Sequence, residues 1–224
     1  MSAFASRKLV RHVLLGACAI GAAGAALAQN NAKRPDFSSN NTGWVSVGTD
    51  WDAVASGPQP VGNDPKHPYV PNNTGAQPTF RVADLDNPNL TAFAKTELKK
   101  SNDMVLKGFA MYARESRCWA TGAPVYLLNP AQPTFILQRP GEVTMMWQMD
   151  QQVRHIYMNV PHSANPKPSW YGESVGHYEG DTLVIDTVGL DGRTFVDAYR
   201  TPHSEKLHVI ERWRLTNGGK GLEV

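Results

Sequence analysis

Two strand-like runs, Ser174 to Tyr178 and Thr182 to Val188, meet at Glu179-Gly180-Asp181, and this spacing reads as a β-hairpin closed by a tight turn. The pattern is not isolated. From Pro124 onward the chain repeats short apolar runs, at Thr134 to Gln138, Val143 to Gln148, Val153 to Met158 and Leu207 to Leu215, separated by Gly, Pro, Asn or Asp. Many short strands without intervening helices argue for a mainly β fold, an antiparallel sheet curled into a barrel or sandwich of calycin-like form. A doubly wound parallel sheet needs strand and helix to alternate, and they do not. Pro161 to Pro168 carries three prolines and reads as a loop between two strands.

The chain before this region has a different character. Arg7, Lys8, Arg11 and His12 form a basic start, Val13 to Leu27 is apolar, and Ala26-Leu27-Ala28 precedes Gln29. This is the pattern of a secretory signal peptide over residues 1–28, which implies a periplasmic or secreted protein. The apolar run falls short of the roughly 20 residues needed to span a bilayer, so no stable membrane anchor is expected. Residues 29–87 are rich in Asn, Gly and Pro and read as a loop-rich segment lying over the domain, with a composition that permits a lid, a strap or a partner surface. Residues 88–224 then form a helix plus an antiparallel β domain. The helix is expected between Asn89 and Lys107, where Leu90, Phe93, Ala94, Leu98, Val105 and Leu106 fall near helical spacing, with a break near Ser101-Asn102-Asp103.

Composition narrows the function classes. The formal net charge is +2 and no block of Lys and Arg stands out, so nucleic acid is not an expected partner. Beyond the signal region Cys118 is the one cysteine, which excludes an intramolecular disulfide there and reads as a small buried apolar side chain. Oligomeric state has no signature in the sequence.

A set of segments carries a resemblance: Arg117-Cys118, Pro133 to Gln138, Arg154-His155-Ile156, Pro168 to Ile185, Pro202 to Glu205 and Glu211-Arg212. In this order they resemble a largely uncharacterised family of exported bacterial proteins that share a Gly-x-(Trp/Tyr)-Glu-Gly-Asp-Thr-Leu hairpin, here Gly176 to Leu183. The resemblance implies export and the hairpin, and no particular activity. Relatives generally continue with further strand sequence beyond the point matching Val224, and an incomplete final strand would leave a barrel open.

Candidate site residues cluster around the hairpin. Gly172-Glu173-Ser174-Val175-Gly176 matches the Gly-x-Ser-x-Gly of serine hydrolases, with Asp186, Asp191 or Asp197 and then His203 in the order those enzymes use. That chemistry needs the Ser on a turn from strand to helix, and here a strand follows, so a Ser on a strand face is expected instead. If Glu179-Gly180-Asp181 is a three-residue loop, His177 opposes Leu183 and points inward with Glu173 farther along the same face. A loop one residue shorter reverses that assignment. His177-Tyr178-Glu179 and His203-Ser204-Glu205 repeat a His-x-Glu spacing that puts imidazole and carboxylate on one side of an extended chain. Without a helical His-Glu-x-x-His or a clustered His set, no metal and no cofactor is expected. Alternation places one of Arg154 and His155 inside, and an interior Arg154 would need Glu173, Asp186 or Glu211 as partner.

Two function classes follow. One is a binding protein holding a small apolar or aromatic molecule in a β-barrel cavity, with Arg154, Trp170, Tyr171 and Tyr178 as ligand contacts and further aromatic walls from Trp119, Trp147 and Trp213. The other is a metal-independent acid/base enzyme, a hydrolase, isomerase or lyase, using His177, Glu173, His203 and Glu205.

Overall fold

The computed structural model describes residues 34–70, 80–109, 118–128 and 132–224. The expected signal peptide, residues 1–28, lies outside them. Seven strands, β1 (Thr134–Arg139), β2 (Glu142–Trp147), β3 (Val153–Met158), β4 (Glu173–Glu179), β5 (Thr182–Val188), β6 (Val209–Thr216) and β7 (Gly221–Glu223), form one sheet in sequential order. The sheet curls into a half-barrel.

The all-antiparallel expectation needs one correction: β3 and β4 run parallel, with Ile156 beside Ser174 and Met158 beside Gly176. The physical reason is the length of the connection from Asn159 to Gly172, which meets the dozen or so residues that a parallel crossover requires. The sheet is also open. Neighbours pair from β1 through to β7, and among the described residues β1 and β7 stand at opposite ends of the order.

Alternation on each strand builds the core. On β3, Arg154, Ile156 and Met158 are buried while Val153, His155 and Tyr157 are exposed. The same concave face takes Val143, Met145 and Trp147 from β2, and Leu183 and Ile185 from β5. Phe37, from the loop-rich segment, is buried among them and donates its backbone N–H to Gln138 Oε1 at 2.7 Å. The described parts of that segment are tied down at several points: Trp44 bridges Thr134, Asn63 bridges Ala83, and Arg81 donates to Asp50 at 2.6 Å.

A helix, α1 (Ala92–Leu106), is capped by Thr91, whose side chain accepts from the Ala94 N–H. It is continuous through Ser101-Asn102-Asp103, where a break was expected. Asn102 is buried there, and its amide accepts from the Ala83 N–H at 2.9 Å and donates to the Ala83 carbonyl at 2.8 Å, replacing a strand partner. Its buried side is Ala94, Leu98, Asn102 and Val105, whereas Phe93 and Leu106 are exposed. Among the described residues no helix is long and apolar enough to cross a membrane.

Candidate functional site

The hairpin register decides where the sequence-derived candidates point. Glu179 pairs with Thr182, so the turn has two central residues, Gly180 and Asp181, and not three. Gly180 has φ 62°, the positive value that favoured two-residue hairpin turns need at their first central position. Tyr178 therefore faces Leu183 and His177 faces Val184, which puts His177, Glu173 and Glu179 on the convex face. The inward placement of His177 is corrected by this one-residue difference. His177 is exposed and lies 3.0 Å from Glu179 Oε1; Glu179 is also paired with Arg212. His203, the other histidine of the repeated spacing, is buried elsewhere, with Nε2 2.6 Å from Thr194 Oγ1 and Nδ1 2.9 Å from the Ser204 carbonyl, while Glu205 is exposed. The structure thus does not gather His177, Glu173, His203 and Glu205 into one site.

Ser174 is buried on the concave side of β4, its Oγ 2.9 Å from Thr187 Oγ1 and accepting from Arg154 Nε at 3.0 Å. The glycines around it have packing reasons. At Gly172 (φ 65°) a Cβ would lie 2.5 Å from the Val188 carbonyl oxygen, and at Gly176 it would lie 2.9 Å from Ile156. The Gly-x-Ser-x-Gly pattern is here a strand packed tightly against its neighbours, with no helix following the serine.

Arg154 is the interior member of its pair, and Glu211 is the partner. The guanidinium meets Glu211 in a two-pronged ion pair, Nη1 to Oε2 at 3.0 Å and Nη2 to Oε1 at 2.8 Å. Its other protons go to Ser174, Thr187 at 2.7 Å and the Tyr126 hydroxyl at 3.3 Å. All five donors of the fork are therefore spent inside the protein. Trp213 Nε1 adds a bond to Glu211 at 2.9 Å. Burial alone would weaken the charged guanidinium, but the attraction and hydrogen bonds of Glu211 and Tyr126 together outweigh it and drive the Arg154 pKa upward; burial raises that of Tyr126.

The remaining ligand-contact candidates are also committed. Tyr171 is buried edge-on against Tyr126, 5.4 Å between ring centroids, with its hydroxyl donating to Asp150 at 2.8 Å. Tyr178 accepts from Gln138 Nε2 at 2.8 Å. Trp170 is a shelf for Arg193, whose guanidinium carbon lies 4.4 Å from the ring centroid. Cys118, expected to be buried, is exposed at φ 57° in a turn that projects it outward.

A cleft of about 1100 Å3 opens at the unpaired end of the half-barrel. Thr134 of β1, Trp213 of β6 and Leu222 of β7 line it together with Leu127 and with Trp44 and Trp51 from the loop-rich segment, and Asp50, Asp52, Lys220 and Glu223 add charged groups to the lining. The indole N–H groups of these tryptophans are all used internally, Trp44 to Phe37, Trp51 to Val196 and Trp213 to Glu211. None of Arg154, Trp170, Tyr171 and Tyr178 lines the cleft. Tyr126 connects the two regions, since it lines the cleft and its hydroxyl bonds Arg154 one layer behind. Sequence reasoning missed Trp44 and Trp51, whose signal was two large aromatics in an otherwise polar, loop-forming segment.

Sequence reasoning also missed a second cluster on the convex face. His162 sits between Glu173 (Nδ1 to Oε1, 3.1 Å) and Asp186 (Nε2 to Oδ1, 3.0 Å), and His208 Nε2 reaches the same Asp186 oxygen at 2.7 Å. Ser163 donates to Glu173 through both its backbone N–H, at 2.7 Å, and its hydroxyl, at 2.6 Å. These Ser163 bonds lead in holding the Glu173 carboxyl below its ordinary range. Desolvation raises Asp186, and the two histidines overcome it to give a net lowering. Among the described residues no group of three or more His, Cys, Asp or Glu is placed to hold a metal ion.

Glu142, also on the convex face, makes a measurable acid-sensitive contact. A hydrogen bond from Arg139, followed by one from His155, lowers its pKa from 4.5 to about 2. A carboxyl lowered in the folded state stabilises the fold above its unfolded pKa and loses that contribution as pH falls through the folded value. The urea midpoint is expected to drop between pH 4.5 and about 2, with a shallower slope in Glu142→Gln; equal slopes in the two proteins would refute this assignment.

Compared with known proteins, the chain matches no family model, no curated protein and no solved structure.

Proposed function

We propose that the protein binds a small apolar or aromatic molecule in the cleft of its curled sheet, in the manner of a calycin-like carrier. The observation that carries this reading is the cleft of about 1100 Å3 bounded by Trp44, Trp51, Trp213, Leu127 and Leu222. Ligand sites of this size are characteristically concave and apolar, and the mouths of barrels are a common place for them. With the indole N–H groups turned to internal acceptors, the tryptophans contribute apolar surface more than polar recognition. Export to the periplasm, and kinship with the exported family that shares the Gly176 to Leu183 hairpin, belong to the same proposal. A soluble carrier in that compartment would shield an apolar cargo from water.

The test is a titration with N-phenyl-1-naphthylamine, a neutral aromatic probe whose fluorescence rises in apolar surroundings. Saturable binding is expected, weakened about tenfold or more in Leu222→Trp, which fills the cleft from β7. Absence of saturable binding, or equal affinity in the variant, would sink the reading.

A further inference from the structure

The middle of the β3–β4 crossover, ahead of the packed Trp170 and Tyr171, has little apolar anchorage. Between Pro161 and Ser169 the chain is exposed apart from His162 and Pro166, which are partly buried. Its C-terminal end is held by backbone bonds, Ser169 N–H to the Gly189 carbonyl at 3.0 Å and Asp191 N–H to the Ser169 carbonyl at 2.9 Å. Its N-terminal part is held by the polar bonds of His162 and Ser163. A short exposed segment attached in this way opens at low free energy when its polar attachment fails.

The chemistry of that attachment depends on protons. Ionised carboxylates only accept hydrogen bonds, so both contacts of His162 can be hydrogen bonds at once only while each ring nitrogen carries a proton. His208 differs, because one ring N–H suffices for its single bond to Asp186. Glu173 comes from β4, Asp186 from β5 and His208 from the approach to β6; on β3 the nearby histidine, His155, is committed to Glu142. With His162 protonated, its charge faces the two anions Glu173 and Asp186. Removing a proton from His162 leaves two anions and turns a nitrogen lone pair toward a carboxylate oxygen.

From this geometry we infer that His162, Glu173, Asp186 and His208 form a proton-operated latch, which docks the β3–β4 crossover on the convex face while His162 carries both ring protons and releases it when one is lost. The sign is set by the cation: protons favour the docked state, and rising pH favours release. Ser163 shares Glu173 with His162, so its amide reports the latch directly.

NMR of the full chain tests this. Ring nitrogen shifts of His162 follow its protonation, and amide exchange, expressed as protection relative to the unstructured rate, follows docking. Protection at Ser163 is expected to fall about tenfold as the ring nitrogen shifts show His162 losing a proton, while the Ile185 amide in the sheet stays protected. His208→Gln, which keeps a donor, should retain the response; His162→Gln should show low, pH-independent protection at Ser163. Flat protection across the His162 titration in the unsubstituted protein, or an unchanged response in His162→Gln, would overturn the latch. The titration of the unsubstituted protein decides the matter even if a variant fails to fold.

Discussion

Glu211→Leu is expected to lower the free energy of unfolding by about 3–5 kcal/mol, because it leaves the Arg154 guanidinium charged and unmatched in the core. Both side chains are almost wholly buried, at 2% and 4% exposure, and the guanidinium has no route to water that keeps its remaining bonds. Ser174, Thr187 and Tyr126 would still accept from it, but none can balance its charge. Urea unfolding followed by tryptophan fluorescence measures the loss, and a change below about 1 kcal/mol would show that the pair is not what organises this layer. The double replacement Arg154→Met with Glu211→Leu should recover much of the deficit, since a buried ion pair exchanged for apolar groups is often close to neutral. The Ser174 and Thr187 hydroxyls, 2.9 Å apart, would still satisfy each other.

The second large effect is expected at Gly172→Ala, a loss of about 2–5 kcal/mol. Part of it is conformational, about 1–2 kcal/mol for a side chain forced to positive φ. The rest is overpacking, about 1–3 kcal/mol, because the new methyl meets a backbone carbonyl that cannot rotate away: the Val188 oxygen at 2.5 Å, with Thr187 Cγ2 at 2.8 Å. Gly180→Ala separates the two contributions. That glycine has nearly the same φ, 62°, yet a Cβ there would meet nothing within 4 Å, so only the conformational cost applies. Equal losses at the two positions would refute the steric account.

The strands were legible because each carries its own pattern. Thr134–Arg139, Val153–Met158 and Thr182–Val188 lie within a residue or so of the apolar runs that announced them, and their boundaries fall at Gly, Pro, Asn or Asp except at Gln152, before β3. One of Arg154 and His155 was legible as an interior residue, with Glu211 among the three candidate partners for an interior Arg154, and the structure buries Arg154. Facing was harder. A single residue in the turn at Gly180-Asp181 reverses every side chain on β4, and local sequence does not distinguish a two-residue from a three-residue loop here. The parallel pairing of β3 with β4 was equally hidden, because nothing in either strand records the direction of its neighbour.

The sites were less legible than the strands. Glu173 was singled out, but not the company it keeps: His162 comes from a proline-rich loop, His208 from the approach to β6, and only the crossover brings them together. A retrospective clue exists. In the true register Val175 opposes Asp186 and Glu173 opposes Val188, so two carboxylates lie diagonally on an exposed face and invite a cation between them. The cleft left a fainter trace still, since Trp44 is far in the chain from Trp213 and Leu222.

Local sequence alone carried the mainly β class, the approximate extents of six of the seven strands, and the rule that an arginine, if buried, needs an acid, because these follow from local alternation, turn chemistry and the cost of burying a charge. The face of His177, the parallel step, the open end of the half-barrel and the grouping of His162 with two carboxylates came from the packed chain. Each depends on register and chain crossing, where the free-energy differences arise between segments distant in sequence.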